Sequence, residues 1–149
     1  MIESINNISN TTEGNSCRIM IVDHDPTNIL VTELIIRKVI KNPQIKSFTI
    51  PHLALNYIEE EYGKAERKMP TLLLLDLYLP GTESYEFLDN FSSLRTNIRE
   101  QFKIVALTSS IDRKEKQKAM SYPYVIDYQI KPLTREVLQQ LIGKYNSSL

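Results

Sequence analysis

Short apolar runs alternate along the chain with longer stretches that are apolar only at every third or fourth position. Arg18-Ile19-Met20-Ile21-Val22 has the length and continuity of a buried strand. It stops at Asp23-His24-Asp25-Pro26, where an Asp N-cap before a Pro at the first helical position marks a helix start. That helix is expected to turn Leu30, Leu34, Ile35 and Val39 inward and to stop at Asn42-Pro43. Residues 44–50 alternate and predict a strand nearer the sheet edge. Leu53 to Arg67 reads as a helix with Ala54, Tyr57, Ile58 and Ala65 inward. Thr71-Leu72-Leu73-Leu74-Leu75 is the most apolar run and predicts the central strand, ending at Asp76. Leu79-Pro80-Gly81 follows as a turn. The next helix carries Phe87, Leu88, Phe91, Leu94 and Ile98 at a 3.6-residue period. Phe102 to Leu107 predicts a fourth strand ending at Thr108, and Ile111 to Met120 a short, very polar helix. A fifth strand lies within Tyr124 to Ile130 and ends at Lys131-Pro132. A last helix gathers Val137, Leu138, Leu141, Ile142 and Tyr145 on one face.

Five strand–helix units in alternation imply an α/β fold, a parallel sheet with helices on both faces. In such sheets ligands bind beyond the carboxyl ends of the strands, at the topological switch point. The residues just past each strand are Asp23, His24 and Asp25 after the first, Asp76 after the third, Thr108 after the fourth and Lys131 after the fifth. Three carboxylates at one edge suit a hard divalent cation such as Mg²⁺. A carboxylate can also accept a phosphoryl group as an aspartyl phosphate, with an ammonium and a hydroxyl holding its oxygens. Each residue has a plainer reading: Asp25 as an N-cap, Thr108 with Ser109 and Ser110 as a loop and helix cap, Lys131 as a solvated lysine. Asp76, closing an apolar strand, is the hardest to read as structural, and the joint pattern is more specific than any member.

The 149 residues hold 18 Lys+Arg against 18 Asp+Glu. That length is about one domain, and the balanced charge excludes the basic footprint of a nucleic-acid binder and electrostatic docking on an anionic membrane. No apolar run approaches the ~20 residues of a membrane span. The first residues lack a basic region followed by an apolar one, so no secretory signal is read there, and the expected location is the cytoplasm. A single cysteine, Cys17, excludes an internal disulfide and any multi-cysteine metal site; it reads as a small thiol without catalytic meaning. Residues 1–16, rich in Asn, Ser and Thr, are expected to form a disordered polar tail, leaving one domain over 17–147.

The motifs IMIVDHDPTN, LLLLDLYLPG, IVALTSS and YQIKP, in this order and at these spacings, resemble the receiver domain of two-component response regulators, over nearly all the patterned chain. The resemblance implies a flavodoxin-like (βα)5 three-layer sandwich with strand order 2-1-3-4-5. It implies Asp76 as the phosphorylated residue, and Asp23, Asp76 and the backbone carbonyl of Tyr78 as ligands of Mg²⁺ or another divalent metal such as Mn²⁺. Thr108 and Lys131 would bind the phosphoryl group, with Lys131 preceding a peptide bond to Pro132 that is often cis in this family. Tyr128 would be the aromatic switch that follows Thr108. The fourth helix, fifth strand and fifth helix would form the surface that changes on phosphorylation, where partners could read Lys114, Lys116, Lys118 and Tyr128 and a homodimer could form.

Two features depart from the family pattern. His24 stands where a second acidic residue is usual, which lowers the negative charge by one. Imidazole is a poor Mg²⁺ ligand, so weaker metal binding is expected. Ser84 replaces a usual Gly and reads as the N-cap of the helix carrying Phe87, while Glu83 keeps the usual acidic position. The charge run of the fourth helix reads as a solvated face. His52, near the start of the second helix, reads as a surface or capping residue.

The expected function is a single-domain response regulator taking a phosphoryl group on Asp76 from a histidine kinase or histidine phosphotransfer protein and signalling through altered contacts with a downstream protein. It would not be an enzyme beyond catalysing its own phosphorylation and dephosphorylation, and the few residues outside the receiver pattern could not form an output domain. The alternative is a phosphorylation-independent interaction module in which His24 weakens the metal site. A phosphatase using Asp76 would need an acid just beyond it, where Leu77-Tyr78-Leu79 stand. A flavin binder on this architecture would need a phosphate loop where Asp23-His24-Asp25 repel phosphate.

Overall fold

The structure, a computed structural model, describes residues 17–145 apart from 65, 67 and 78–81. The expected tail over 1–16, the inward place of Ala65 and the turn at 79–81 lie outside the described residues. Five parallel strands, β1 (Arg18–Val22), β2 (Gln44–Phe48), β3 (Thr71–Asp76), β4 (Phe102–Thr108) and β5 (Val125–Ile130), form one sheet in the order 2-1-3-4-5. The helices are α1 (Pro26–Val39), α2 (Pro51–Lys64), α3 (Glu83–Ser92), α4 (Thr96–Arg99), α5 (Arg113–Met120) and α6 (Arg135–Tyr145). This is the flavodoxin-like arrangement expected of the motifs.

Strand alternation divides the apolar residues into two cores. Ile19, Ile21, Leu72, Leu74, Val105 and Leu107 meet Ile29 and Ile36 of α1 and Leu138 and Leu141 of α6. Met20, Val22, Leu73, Leu75, Ile104 and Ala106 meet α2 through Ala54 and Ile58, and α3 through Phe87 and Phe91. Every residue of β3 is buried, as a central parallel strand covered on both faces must be. The register sets the site. Val22 pairs with Leu75, Asp76 with Leu107, and Thr108 with Ile130, so the residues that follow emerge side by side. β1 and β3 are neighbours whose connections run in opposite directions, which opens the crevice at their carboxyl ends.

Two helices differ from the sequence expectation. In α1, Leu30 and Leu34 are 58% and 54% exposed, while Ile29 and Ile36 are buried; Ile35 and Val39 are partly buried. This helix is apolar around most of its circumference, so two stripes compete. The start set by Asp25, which accepts from the Thr27 N–H at 2.9 Å, turns the Ile29–Ile36 stripe to the sheet. The helix expected from Phe87 to Ile98 is two helices. At its break the Ser92 hydroxyl donates to the Leu88 carbonyl at 2.8 Å and Ser93 donates to Asp89, a back-bonding that competes with helix continuation. Arg95 is extended before α4 begins, and Phe91 and Ile98 stay buried across the break. Asn42, after α1, takes a left-handed conformation at φ 54°, which Asn tolerates best after Gly.

Candidate functional site

Asp23 and Asp76 leave β1 and β3 side by side, 4% and 5% exposed. Lys131, just past β5, reaches across and places Nζ 2.6 Å from Asp76 Oδ1 and 3.3 Å from Asp23 Oδ2. Its peptide bond to Pro132 is cis. His24 Nδ1 lies 2.7 Å from Asp76 Oδ2 and 3.7 Å from Asp23 Oδ1. An ionised carboxylate only accepts, so Nδ1 carries the hydrogen in the Asp76 bond. Both oxygens of Asp76 are therefore engaged, one by an ammonium and one by an imidazole. Burial raises the Asp23 carboxyl above the ordinary carboxylate range; the charge of Asp76 adds to this, while the Asp25 N–H and Lys131 oppose it. Asp25 itself faces the start of α1, as an N-cap should.

Thr108 closes β4, is 1% exposed, and shares a cleft of about 610 Å³ with His24, Asn28, Asp76, Ser109 and Lys131. Its hydroxyl donates to Glu115 Oε1 at 2.8 Å. Tyr128, in β5, donates to the same oxygen at 3.1 Å and to the Ser110 carbonyl at 3.2 Å. Burial raises the Tyr128 hydroxyl pKa, the hydrogen bond and charge of Glu115 raise it further, and a hydrogen bond with Thr108 opposes them. The structure thus brings Asp23, His24, Asp76, Thr108 and Lys131 together and ties Tyr128 to Thr108 through a carboxylate. Tyr78 lies outside the described residues.

Among the described residues, Asp23, His24 and Asp76 can each offer a ligand atom within 4.8 Å of the others. Two buried carboxylates fit a hard divalent cation. The imidazole shifts the set toward Mn²⁺ or Zn²⁺ relative to an all-oxygen set.

Two residues beside the site differ from the sequence expectation. Ser84 is not an N-cap: Thr82 precedes α3 in that position, without a side-chain cap bond. Ser84 is 5% exposed inside the helix, and its hydroxyl donates to the Asp76 carbonyl at 2.6 Å. It fastens α3 to the end of β3. Glu115 reads in sequence as part of a charged, solvated face, yet it is 9% exposed. The available signal was its place four residues before Ala119, the buried apolar residue of α5, which puts both on one face.

No family model matches the chain. The probable C4-dicarboxylate response regulator of Halalkalibacterium halodurans is 28% identical over 131 residues, covering 86% of this chain and 50% of that protein. The chain thus spans about half the length of the curated relative it matches. A two component response regulator from Cytophaga hutchinsonii is 27% identical, with 87% of this chain and 96% of that one covered at a TM-score of 0.75. A response regulator receiver protein from Dyadobacter fermentans shares the fold, at 20% identity, 87% and 98% coverage and a TM-score of 0.75. The fold is that of response regulator receiver domains, and the proteins this chain is similar to are response regulators. Receiver domains are phospho-accepting signalling modules rather than classical enzymes, and typically bind Mg²⁺ in an acidic pocket. No helix among the described residues is long and apolar enough to cross a membrane.

Proposed function

We propose that the chain acts as a response regulator receiver, its domain spanning 17–147, that is phosphorylated on Asp76 by a histidine kinase or histidine phosphotransfer protein. An Asp76 oxygen attacks phosphorus, the phosphorus–nitrogen bond of the donor phosphohistidine breaks, and an aspartyl phosphate forms. The observation that carries this reading is the Lys131 ammonium 2.6 Å from a buried Asp76 that lines an open cleft. A charge held there can follow the carboxylate's oxygen into the phosphoryl group. Thr108 would donate to a phosphoryl oxygen. Asp23, Asp76, the Tyr78 carbonyl and, less favourably, His24 would hold Mg²⁺ or Mn²⁺, which offsets negative charge on the transferring oxygens. Tyr128 would carry the change to the face of α5, β5 and α6, where a downstream protein or a second copy would bind. The cytoplasm is the proposed location.

One observation favours a second reading: His24 bonds the proposed phosphorylation site directly. A phosphorylation-independent interaction module would keep the fold and leave Asp76 unmodified. Incubation with acetyl phosphate and Mg²⁺, followed by intact-mass measurement, separates the two. Phospho-acceptance gives one added phosphoryl group that is lost in Asp76→Ala. A folded protein with no adduct supports the interaction module.

A further inference from the structure

We propose that Glu115 is a latch: its carboxylate holds the Thr108 hydroxyl away from Asp76, and phosphorylation must break that hold to reach Tyr128. This inference rests on the phospho-acceptor reading and adds a residue to it. A threonine hydroxyl carries one hydrogen. In this structure that hydrogen goes to Glu115 Oε1 at 2.8 Å, while the oxygen accepts from the Ser110 N–H at 3.0 Å. Thr108 therefore cannot donate to a phosphoryl group on Asp76 while it donates to Glu115. The cost of turning Thr108 toward the cleft is the cost of taking one of two hydroxyl donors from a carboxylate 9% exposed.

The other donor passes the change on. The Tyr128 hydrogen is divided between Glu115 Oε1 and the Ser110 carbonyl. When Thr108 leaves, the carboxylate draws that hydrogen to itself and loosens the bond to Ser110, in the loop before α5. A further acceptor-seeking group stands by. The Tyr85 hydroxyl on α3 is buried and has no hydrogen-bond partner among the described residues. It lies close enough to Glu115 for that charge to raise its pKa. Glu115 thus faces two arrangements, one shared by Thr108 and Tyr128 and one held by Tyr128 without Thr108. An element with two discrete arrangements is what a population shift requires.

The test measures beryllofluoride affinity, with Mg²⁺ saturating, in wild type, Glu115→Ala and Glu115→Gln. Hydrogen bonds to charged groups are strong enough that removing this one should tighten binding about tenfold in Glu115→Ala. Glu115→Gln, whose amide oxygen is a weaker acceptor, should show a smaller gain and guards against a folding defect. The gain must vanish in a Thr108→Val background. Unchanged or weaker affinity, or an equal gain without the Thr108 hydroxyl, overturns the latch. Absence of binding in folded wild type would instead count against the phospho-acceptor reading. The Thr108 rotamer, read by NMR couplings in unliganded protein, then decides: a change in the Glu115 variants supports the latch, and an unchanged rotamer overturns it.

Discussion

The imidazole Nδ1 of His24 lies 2.7 Å from Oδ2 of Asp76, so a side chain from the end of β1 occupies one face of the carboxylate that closes β3. The bond places a hydrogen where a metal-bound carboxylate oxygen would otherwise face a cation. Metal binding must therefore break it. His24→Asp removes this competitor and adds an oxygen ligand to the Asp23–Asp76 pair. Mg²⁺ should bind roughly tenfold more tightly, the order expected when one carboxylate joins a hard-cation site. Calorimetric titration of both proteins with Mg²⁺ checks this, and equal affinities would remove His24 as the cause of a weak site.

Lys131 neutralises two buried acids at once, with its own side chain only 18% exposed. Replacing it with Met leaves Asp23 and Asp76 facing each other without their cation. Breaking a buried pair from one side costs about 3 kcal/mol or more, so Lys131→Met should lower stability by that order. A divalent cation would substitute for the lost ammonium. Urea unfolding with and without millimolar Mg²⁺ should show a larger metal-dependent gain in Lys131→Met than in wild type. A variant as stable as wild type without metal would mean that the two carboxylates do not depend on Lys131.

The strand ends were legible because parallel strands repeat a simple rule: an apolar run followed by one polar residue. Asp23, Asp76 and Thr108 obey it, Lys131 follows a mixed strand that holds Asp127 and Gln129, and strand pairing brings all four together. Helix faces were less legible where apolar residues surround the helix. Leu30 and Leu34 look as inward as Ile29 and Ile36 until the cap at Asp25 fixes the rotation. Ser84 and Glu115 were illegible for another reason. A serine near a helix start favours the cap reading, and a glutamate in a lysine-rich helix favours solvent. Only packing reveals that the first bonds the Asp76 carbonyl and the second accepts from Thr108.

Ser84 offers a separate test of how α3 is held. Its buried hydroxyl donates to the Asp76 carbonyl at 2.6 Å. Ser84→Ala deletes the donor and leaves that carbonyl without this bond, a loss of about 1 to 2 kcal/mol. Chemical denaturation should register the loss, and amide exchange should rise in α3 more than in α6, on the far side of the sheet. Uniform exchange in the two helices would show that packing of Phe87 and Phe91 alone anchors α3.

Tyr85 gives the protein a base-sensitive group. Burial, then the charge of Glu115, then Tyr128 and Tyr122, push its hydroxyl up to about 12, while Lys118 Nζ sits 4.0 Å from its ring centroid. An unfolded tyrosine titrates near ~10. The folded state thus keeps a proton that the unfolded state releases. The stability this contributes is full below pH ~10 and is lost as pH rises through about 12. Tyr85→Phe cannot ionise, so its stability should fall less steeply than wild type across that window. At neutral pH the same variant deletes a buried hydroxyl that has no partner among the described residues. It should be as stable as wild type or up to ~1 kcal/mol more stable. Tyr122→Phe is the control, because Tyr122 is also raised to about 12 but donates to Asp89 at 2.7 Å. It should flatten the alkaline limb while lowering neutral stability. Urea unfolding at neutral pH and across the alkaline window reads both effects. Parallel curves for wild type and Tyr85→Phe would show that the Tyr85 hydroxyl is not held protonated by its surroundings.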